Sequence, residues 1–277
     1  MIKIGQYNKL KINRLTDFGA YLDGGNGVEI LIPSRYLPDV PEIGSEIDVF
    51  VYTDSEDRLI ATTEHPYIQV GQFGFLRVAD IHPRVGAFMD WGLPKDLLCP
   101  FNEQREKMVR DNIYLVYAYL DYSTKRIVAS SKIEKFLGNT YPEYNLRDCV
   151  QALVYQRTDI GYKAIVDNLF SGMIYTDELI DHPEIGSTVR AFVKKIREDG
   201  KIDLTLKDTN GERAHQIADK IIDLLHKNGG HSGFCDKSSP EEIAKTFACS
   251  KKDFKKALGY LYKSKKIILT ETGITLP

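Results

Sequence analysis

The chain is poor in cysteine, tryptophan and net charge. Four cysteines stand among 277 residues (Cys99, Cys149, Cys235 and Cys249), and no two form a CxxC pair. That spacing argues against a zinc ribbon and a disulfide scaffold and fits a reducing cytoplasm. No run of eighteen apolar residues occurs, so no membrane-spanning helix is expected. The N-terminal stretch MIKIGQYNKLKINR lacks the apolar core of a signal peptide, and a cytoplasmic location is expected. With 37 basic and 39 acidic residues the formal net charge is −2, so any anion site must be a local patch. The GxxxxGK phosphate loop, GxSxG and HExxH are also missing. His226, His231 and Cys235 lie close in sequence but have no fourth ligand nearby. No enzymatic activity, cofactor, metal or small-molecule substrate is expected.

What is present is aromatic and repetitive. There are sixteen tyrosines and twelve phenylalanines. The phrase TDFGAYLD (16–23) returns as RVGAFMDWG (84–92) and, more loosely, as DIGYKAIVD (159–167). Aligning Gly19, Gly86 and Gly161 gives spacings of 67 and 75 residues, the size of a small barrel. Each unit then reads as five short strands with period-two alternation and turn residues between them. Five strands in so short a unit suit a closed OB-fold barrel, and the repetition of whole units argues against one large sandwich. GNTYPEYN (138–145) reads as the linker between the second and third units.

After residue 208 the period changes. Ile217, Ala218, Ile221, Ile222, Leu224 and Leu225 form a helical stripe. SPEE (239–242) opens a second helix, with Ser239 as N-cap, Pro240 in the first turn and Glu242 as capping-box partner. SKKD (250–253) opens a third, expected to bury Phe254, Ala257, Leu258, Leu261 and Tyr262. KKIILTETGITLP then reads as a hairpin, completing a winged helix-turn-helix outline. The expected architecture is mainly β with a C-terminal α+β domain. It comprises three tandem OB-fold barrels (1–64, 65–137 and 146–208) and a winged helix (212–277).

The acidic residue, aromatic, Gly-Ala and second aromatic of TDFGAYLDGGNGVEILIP resemble the S-one-type RNA-binding domain. Taken with GLPKDLLCP, EDGKIDLTL and SPEEIAKTFACSKKDFKKALGYLYK, the order of domains resembles the bacterial conserved virulence factor B family over nearly the full chain. The resemblance implies a non-enzymatic, RNA-binding regulator of gene expression. Its partners would be single-stranded RNA and, beyond that, ribosomal or RNA-processing proteins, with no membrane contact. Two alternatives stand beside it: a protein-docking adaptor of that machinery, and a winged-helix DNA-binding regulator.

In such modules, bases stack on outward aromatics and nearby cations meet phosphates. By resemblance Phe18 and Tyr21 are the stacking pair of the first unit, and Arg58 is its basic residue at the last turn. Arg35 and Tyr36 stand near the end of the third strand, where they would widen the platform. Pro33 replaces a histidine that the family often carries. In the second unit Val85 takes the first aromatic position, Phe88 the second, Trp91 follows, and Lys125 with Arg126 forms the basic turn. In the third unit Ile160 and Lys163 take the aromatic positions, which leaves Lys163 as a phosphate contact. From Lys245 to Lys266 eight lysines face one acid, Asp253, a local charge of +7. Lys252, Lys255 and Lys256 avoid the apolar stripe and are expected to attract a nucleic-acid backbone. The third helix lacks Arg, Asn and Gln, so base-edge reading of duplex DNA is not expected.

Overall fold

The first strand of each unit is long and bulged, and this is what closes the barrels. The computed structural model describes residues 2–138, 140–179, 181–207, 212–235, 237–270 and 273–277. The first barrel contains β1 (Gln6–Thr16), β2 (Gly19–Asp23), β3 (Glu29–Pro33), β4 (Glu46–Thr53) and β5 (Leu59–Thr62). The second contains β6 (Phe73–His82), β7 (Gly86–Asp90), β8 (Leu97–Pro100), β9 (Ile113–Leu120) and β10 (Ile127–Ser130). The third contains β11 (Cys149–Thr158), β12 (Gly161–Val166), β13 (Phe170–Tyr175), β14 (Thr188–Ile196) and β15 (Ile202–Thr205). All three close in one order, first-second-third-fifth-fourth, with the third and fifth strands parallel. The register shifts between Ile12 and Arg14, between Val78 and Asp80, and between Val154 and Gln156. Each bulge bends its strand, so one half pairs with the fourth strand and the other with the second.

Alternation fills the barrels. Ala20, Leu22, Ile30 and Ile32 point inward in the first, and Ala87, Met89, Leu97 and Cys99 occupy the same places in the second. Cys99 is thus a core residue. Burial pushes its thiol up to about 12, which leaves it unreactive at neutral pH.

The barrels pack on one another through aromatic seams. Phe50 and Tyr52 of β4 join the core of the second barrel, where Trp91 meets them edge-on at 5.7 and 6.4 Å. Phe73 and Ile133 of the second barrel cluster with Ile165 of the third. The backbone N–H of Phe73 donates to Asn168 across that boundary at 3.0 Å. In the expected linker, Asn139 lies outside the described residues. Pro142 is buried, and Tyr144 donates to Asp167 at 2.8 Å and packs edge-on against Phe170.

The C-terminal domain has α1 (Glu212–Lys227), β16 (His231–Ser232), α2 (Pro240–Phe247), α3 (Lys251–Lys263), β17 (Ile268–Thr270) and β18 (Gly273–Thr275). Ser239 and Glu242 form the capping box, and the Ser250 side chain accepts from the Asp253 N–H. A two-residue strand, β16, adds to the hairpin to give the order β16-β18-β17. Tyr262 differs from expectation: it is 56% exposed. At 3.6 residues per turn it stands on the flank of the Phe254–Leu261 stripe, outside the packed face. The expected barrel end at residue 208 and the hairpin turn at 271–272 lie outside the described residues.

Candidate nucleic-acid interface

One corner is built three times. Gly19, Gly86 and Gly161 have φ of +154°, +146° and +158°. A Cβ at these positions would stand 2.1, 2.2 and 2.1 Å from the carbonyl oxygens of Ile32, Cys99 and Ile174. Only glycine lets the second strand press so closely on the third. In barrels 1 and 3 the preceding turn is fastened by a threonine hydroxyl, Thr16 to the Gly19 carbonyl and Thr158 to the Gly161 carbonyl, at 3.0 and 2.9 Å. The residue before each glycine is pushed outward. These are Phe18, Val85 and Ile160, which are 57%, 42% and 59% exposed.

In barrel 1 this corner is aromatic and ringed by arginine. Phe18 and Tyr21 meet edge to face, with centroids 6.4 Å apart. Arg14, opposite Tyr21 in the ladder, lies over the tyrosine ring at 3.7 Å. Its guanidinium also grips Glu29 at 2.8 Å, and that hydrogen bond holds the Glu29 carboxyl below the usual range. Arg58 is exposed and pairs with Asp54 and Glu56 at 2.8 and 3.1 Å. An open groove of about 340 Å³ runs beside Tyr21, Leu31, Asp54, Arg58 and Ile60. Exposed pairs of this kind are worth at most about 1 kcal/mol, so a phosphate can take over an arginine at little cost. Arg35 is exposed in the turn of 3₁₀ helix after β3, next to the corner through the Ser34 N–H to Phe18 carbonyl bond. Tyr36 does not widen the platform. It is buried, covered by Arg35 at 4.5 Å, and its hydroxyl donates to Glu64.

Barrel 2 keeps the corner and changes its chemistry. Asp80 stands opposite Phe88 where barrel 1 has Arg14 opposite Tyr21. Phe101, exposed, follows β8 and bonds its N–H to the Val85 carbonyl, so an aromatic stands next to the position Val85 leaves aliphatic. Arg126 is the counterpart of Arg58, since Asp121 N–H to Arg126 carbonyl repeats Asp54 N–H to Arg58 carbonyl. Its guanidinium reaches back into barrel 1 and forks onto Asp57. That bond holds the Asp57 carboxyl below its usual range. Lys125 is exposed, but it occupies the left-handed turn position that Asp57 fills in barrel 1, with φ of 59° and 61°. Trp91 must be corrected: it is 2% exposed, and its indole N–H donates to the Lys95 carbonyl at 2.6 Å. It belongs to the seam between barrels, and no base can stack on it from solvent.

Barrel 3 has Ile160 at the corner and Lys163 at the second position, with its ammonium on Gln156 at 3.1 Å. Tyr162 is buried. Tyr175 occupies the place of Pro33 and Pro100, and its hydroxyl donates to Asp203 and accepts from Arg197. Lys194 and Lys201 pair with Glu178 and Asp199. On α3, Lys252, Lys255 and Lys256 are exposed, away from the buried Phe254, Ala257, Leu258 and Leu261. Arg14, Phe101 and Tyr175 were not expected from the sequence. A basic residue seven before Tyr21, and an aromatic at or beside the proline of the third strand, were the available signals.

Among the described residues no three His, Cys, Asp or Glu side chains converge to hold a metal. No described helix is long and apolar enough to cross a membrane.

Closed five-stranded barrels with this corner, followed by a winged helix, define a class: S1-type OB-fold proteins built for nucleic acid. Residues 4–64 match the S1 domain model, and residues 219–276 match the CvfB-like winged helix domain. Neither model is that of a catalytic domain. Over nearly its full length the chain is similar to the conserved virulence factor B family. Conserved virulence factor B of Staphylococcus saprophyticus is 28% identical, over 98% of this chain and 93% of that protein. The uncharacterized protein YitL of Bacillus subtilis is 29% identical, over 95% and 90%. A crystal structure from Streptococcus pneumoniae, described as a multidomain protein with nucleic acid binding domains, is 26% identical. It covers 99% of this chain and 98% of that one, with a TM-score of 0.41.

Proposed function

We propose that the chain binds single-stranded RNA and regulates gene expression after transcription in the bacterial cytoplasm, without catalysis. The supporting observation is the barrel 1 corner. Tyr21 and Arg58 line an open groove, Phe18 packs edge to face on Tyr21, and Arg14 lies over the Tyr21 ring. Each base stacked on such an aromatic contributes roughly 1–3 kcal/mol. Phe88, Lys125 and Arg126 of barrel 2 and Lys163 of barrel 3 add weaker contacts. Lys252, Lys255 and Lys256 supply backbone attraction, and linkage of several weak sites raises the total affinity.

The test is fluorescence anisotropy of labelled single-stranded RNA and duplex DNA with the intact protein over a salt series. Preference for RNA, weakening steeply with salt, is expected. No RNA binding at micromolar protein would sink the reading. The winged helix supports a second reading, protein docking, because Tyr262, Ile268 and Leu269 are exposed beside its lysines. RNA affinity unchanged on deletion of residues 212–277 would favour that role for this domain.

A further inference from the structure

The turn between β4 and β5 is shared by two barrels. Its first and last residues, Asp54 and Arg58, line the barrel 1 groove. Ser55, Glu56, Asp57 and Arg58 are all exposed. Within barrel 1 the turn is closed onto the Asp54 carboxylate by the N–H groups of Glu56 and Arg58 and by the Arg58 guanidinium, which donates at 2.9 Å. The closing side chain is thus the one that a phosphate would draw away. Barrel 2 closes its own turn without its arginine: the Ser123 and Thr124 hydroxyls donate to Asp121, and Arg126 is spent on Asp57.

Barrel 1 takes a second fastening from outside. The Lys95 ammonium donates to the Asp54 carbonyl at 2.6 Å and to the Thr53 hydroxyl at 3.4 Å, and it stands 3.9 Å from the Asp57 carboxylate. The Asp54 carbonyl also accepts the Asp57 N–H at 3.1 Å, so Lys95 grips the oxygen on which the turn closes. Lys95 is itself held. Its carbonyl accepts the Trp91 indole N–H, and Trp91 is buried edge-on against Phe50 and Tyr52 of β4. The path runs from β4 through Trp91 and Lys95 back to the end of β4. Arg126 adds its fork onto Asp57, but that pair is exposed and worth little. Lys95 is half-buried, and desolvation holds its ammonium below the ordinary lysine range. It does not line the groove. A cation withdrawn from water and spent on a carbonyl is placed to hold the turn, not to meet a phosphate.

We propose, on the RNA reading above, that Lys95 is a positioning residue for the barrel 1 groove. It pins the β4–β5 turn so that Arg58 stands at the groove edge when a strand arrives. Barrel 2 thereby strengthens binding at barrel 1 without touching the strand there. A pinned turn spares the cost of ordering one long side chain on binding, a gain of about two- to tenfold in affinity.

The test is a double-mutant cycle in the intact protein, Lys95→Met with Arg58→Gln. It is read by anisotropy of labelled ten-nucleotide oligo(U) RNA over a salt series. Methionine keeps the apolar stem and drops the donors. Lys95→Met should weaken binding about fivefold and leave the slope of log affinity against log salt unchanged, because no phosphate contact is lost. Arg58→Gln should weaken binding and lower that slope by about 0.7. In the Arg58→Gln background, Lys95→Met should cost less than about twofold. Backbone ¹⁵N order parameters at residues 55–58, measured without RNA, should fall in Lys95→Met and stay unchanged in barrel 3. A slope lowered by about 0.7 in Lys95→Met would make the lysine a phosphate contact and overturn the proposal. An equal loss in both backgrounds, wild-type affinity in Lys95→Met, or wild-type order parameters in its turn would each overturn it too, and would leave the RNA reading standing. A wild-type protein that binds no RNA would sink both, whatever the order parameters show.

Discussion

Phe18 of barrel 1 and Ile160 of barrel 3 occupy one corner of one fold. Both are pushed outward before a glycine that no other residue can replace, and both carry a Thr-Asp pair before them. The backbone solution is the same, down to the threonine hydroxyl that fastens it. The surface is not. Barrel 1 adds Tyr21 under an arginine, whereas barrel 3 adds Lys163 bound to Gln156. Barrel 2 lies between them, with Phe88 kept but facing Asp80, and with its turn arginine tied to barrel 1. The corner is therefore a structural necessity in all three barrels and a binding device only where the side chains around it permit. A glycine-centred motif reports fold, and its flanking residues report function.

The comparison can be broken at its structural end first. Gly19→Ala, Gly86→Ala and Gly161→Ala should each destabilise the barrel concerned by about 3 kcal/mol or more, as measured by denaturant unfolding. If one alone were tolerated, the three corners would not be equivalent. Next in size is the functional end. The Phe18→Ala/Tyr21→Ala variant should lose about 30-fold in RNA affinity, as two lost stacks require, while Ile160→Ala/Lys163→Ala should lose less than about threefold. Grafting Ile160→Phe with Lys163→Tyr into barrel 3 should gain several-fold, about the value of one stack at the low end. Replacing Lys252, Lys255 and Lys256 by Gln should lower the slope of log affinity against log salt by about 2, since each single-strand phosphate contact contributes about 0.7.

The smallest effect concerns the turn acids. Asp54 in barrel 1 is partnered by Arg58, but Asp121 in barrel 2 has lost its arginine to Asp57. The hydroxyls of Thr124 and Ser123 replace it and hold the Asp121 carboxyl at about 2. A depressed folded value means that this contribution to stability is present above the ordinary aspartate value of about 3.9 and is lost as pH falls through about 2. Ser123→Ala/Thr124→Ala should return the Asp121 titration toward the ordinary value, read by carboxyl-carbon NMR.

Much of the architecture was legible because it repeats. A glycine at fixed spacing, flanked by alternating strands, specifies a barrel three times over, and Ser239 with Glu242 announces a helix start by local hydrogen bonding alone. What pairs with what across the barrels was not legible. Trp91 reads equally as a platform or a core residue, and only the packing of Phe50 and Tyr52 against it decides. Arg126 reads as a basic turn residue, and its partner Asp57 lies 69 positions away in another barrel. Arg14 escaped notice because a bulge sets its register against Tyr21, and a bulge leaves no composition signal. Tyr36 looked like platform because it stands near the end of the third strand, yet in the turn of 3₁₀ helix after β3 it is buried.

The most direct measurement is photocrosslinking of 4-thiouridine-substituted single-stranded RNA to the intact protein, with the adducts mapped by mass spectrometry. The account predicts adducts concentrated in residues 14–21 and 29–36, around Phe18 and Tyr21. Adducts confined to α3, or to barrel 3 with none in barrel 1, would contradict it.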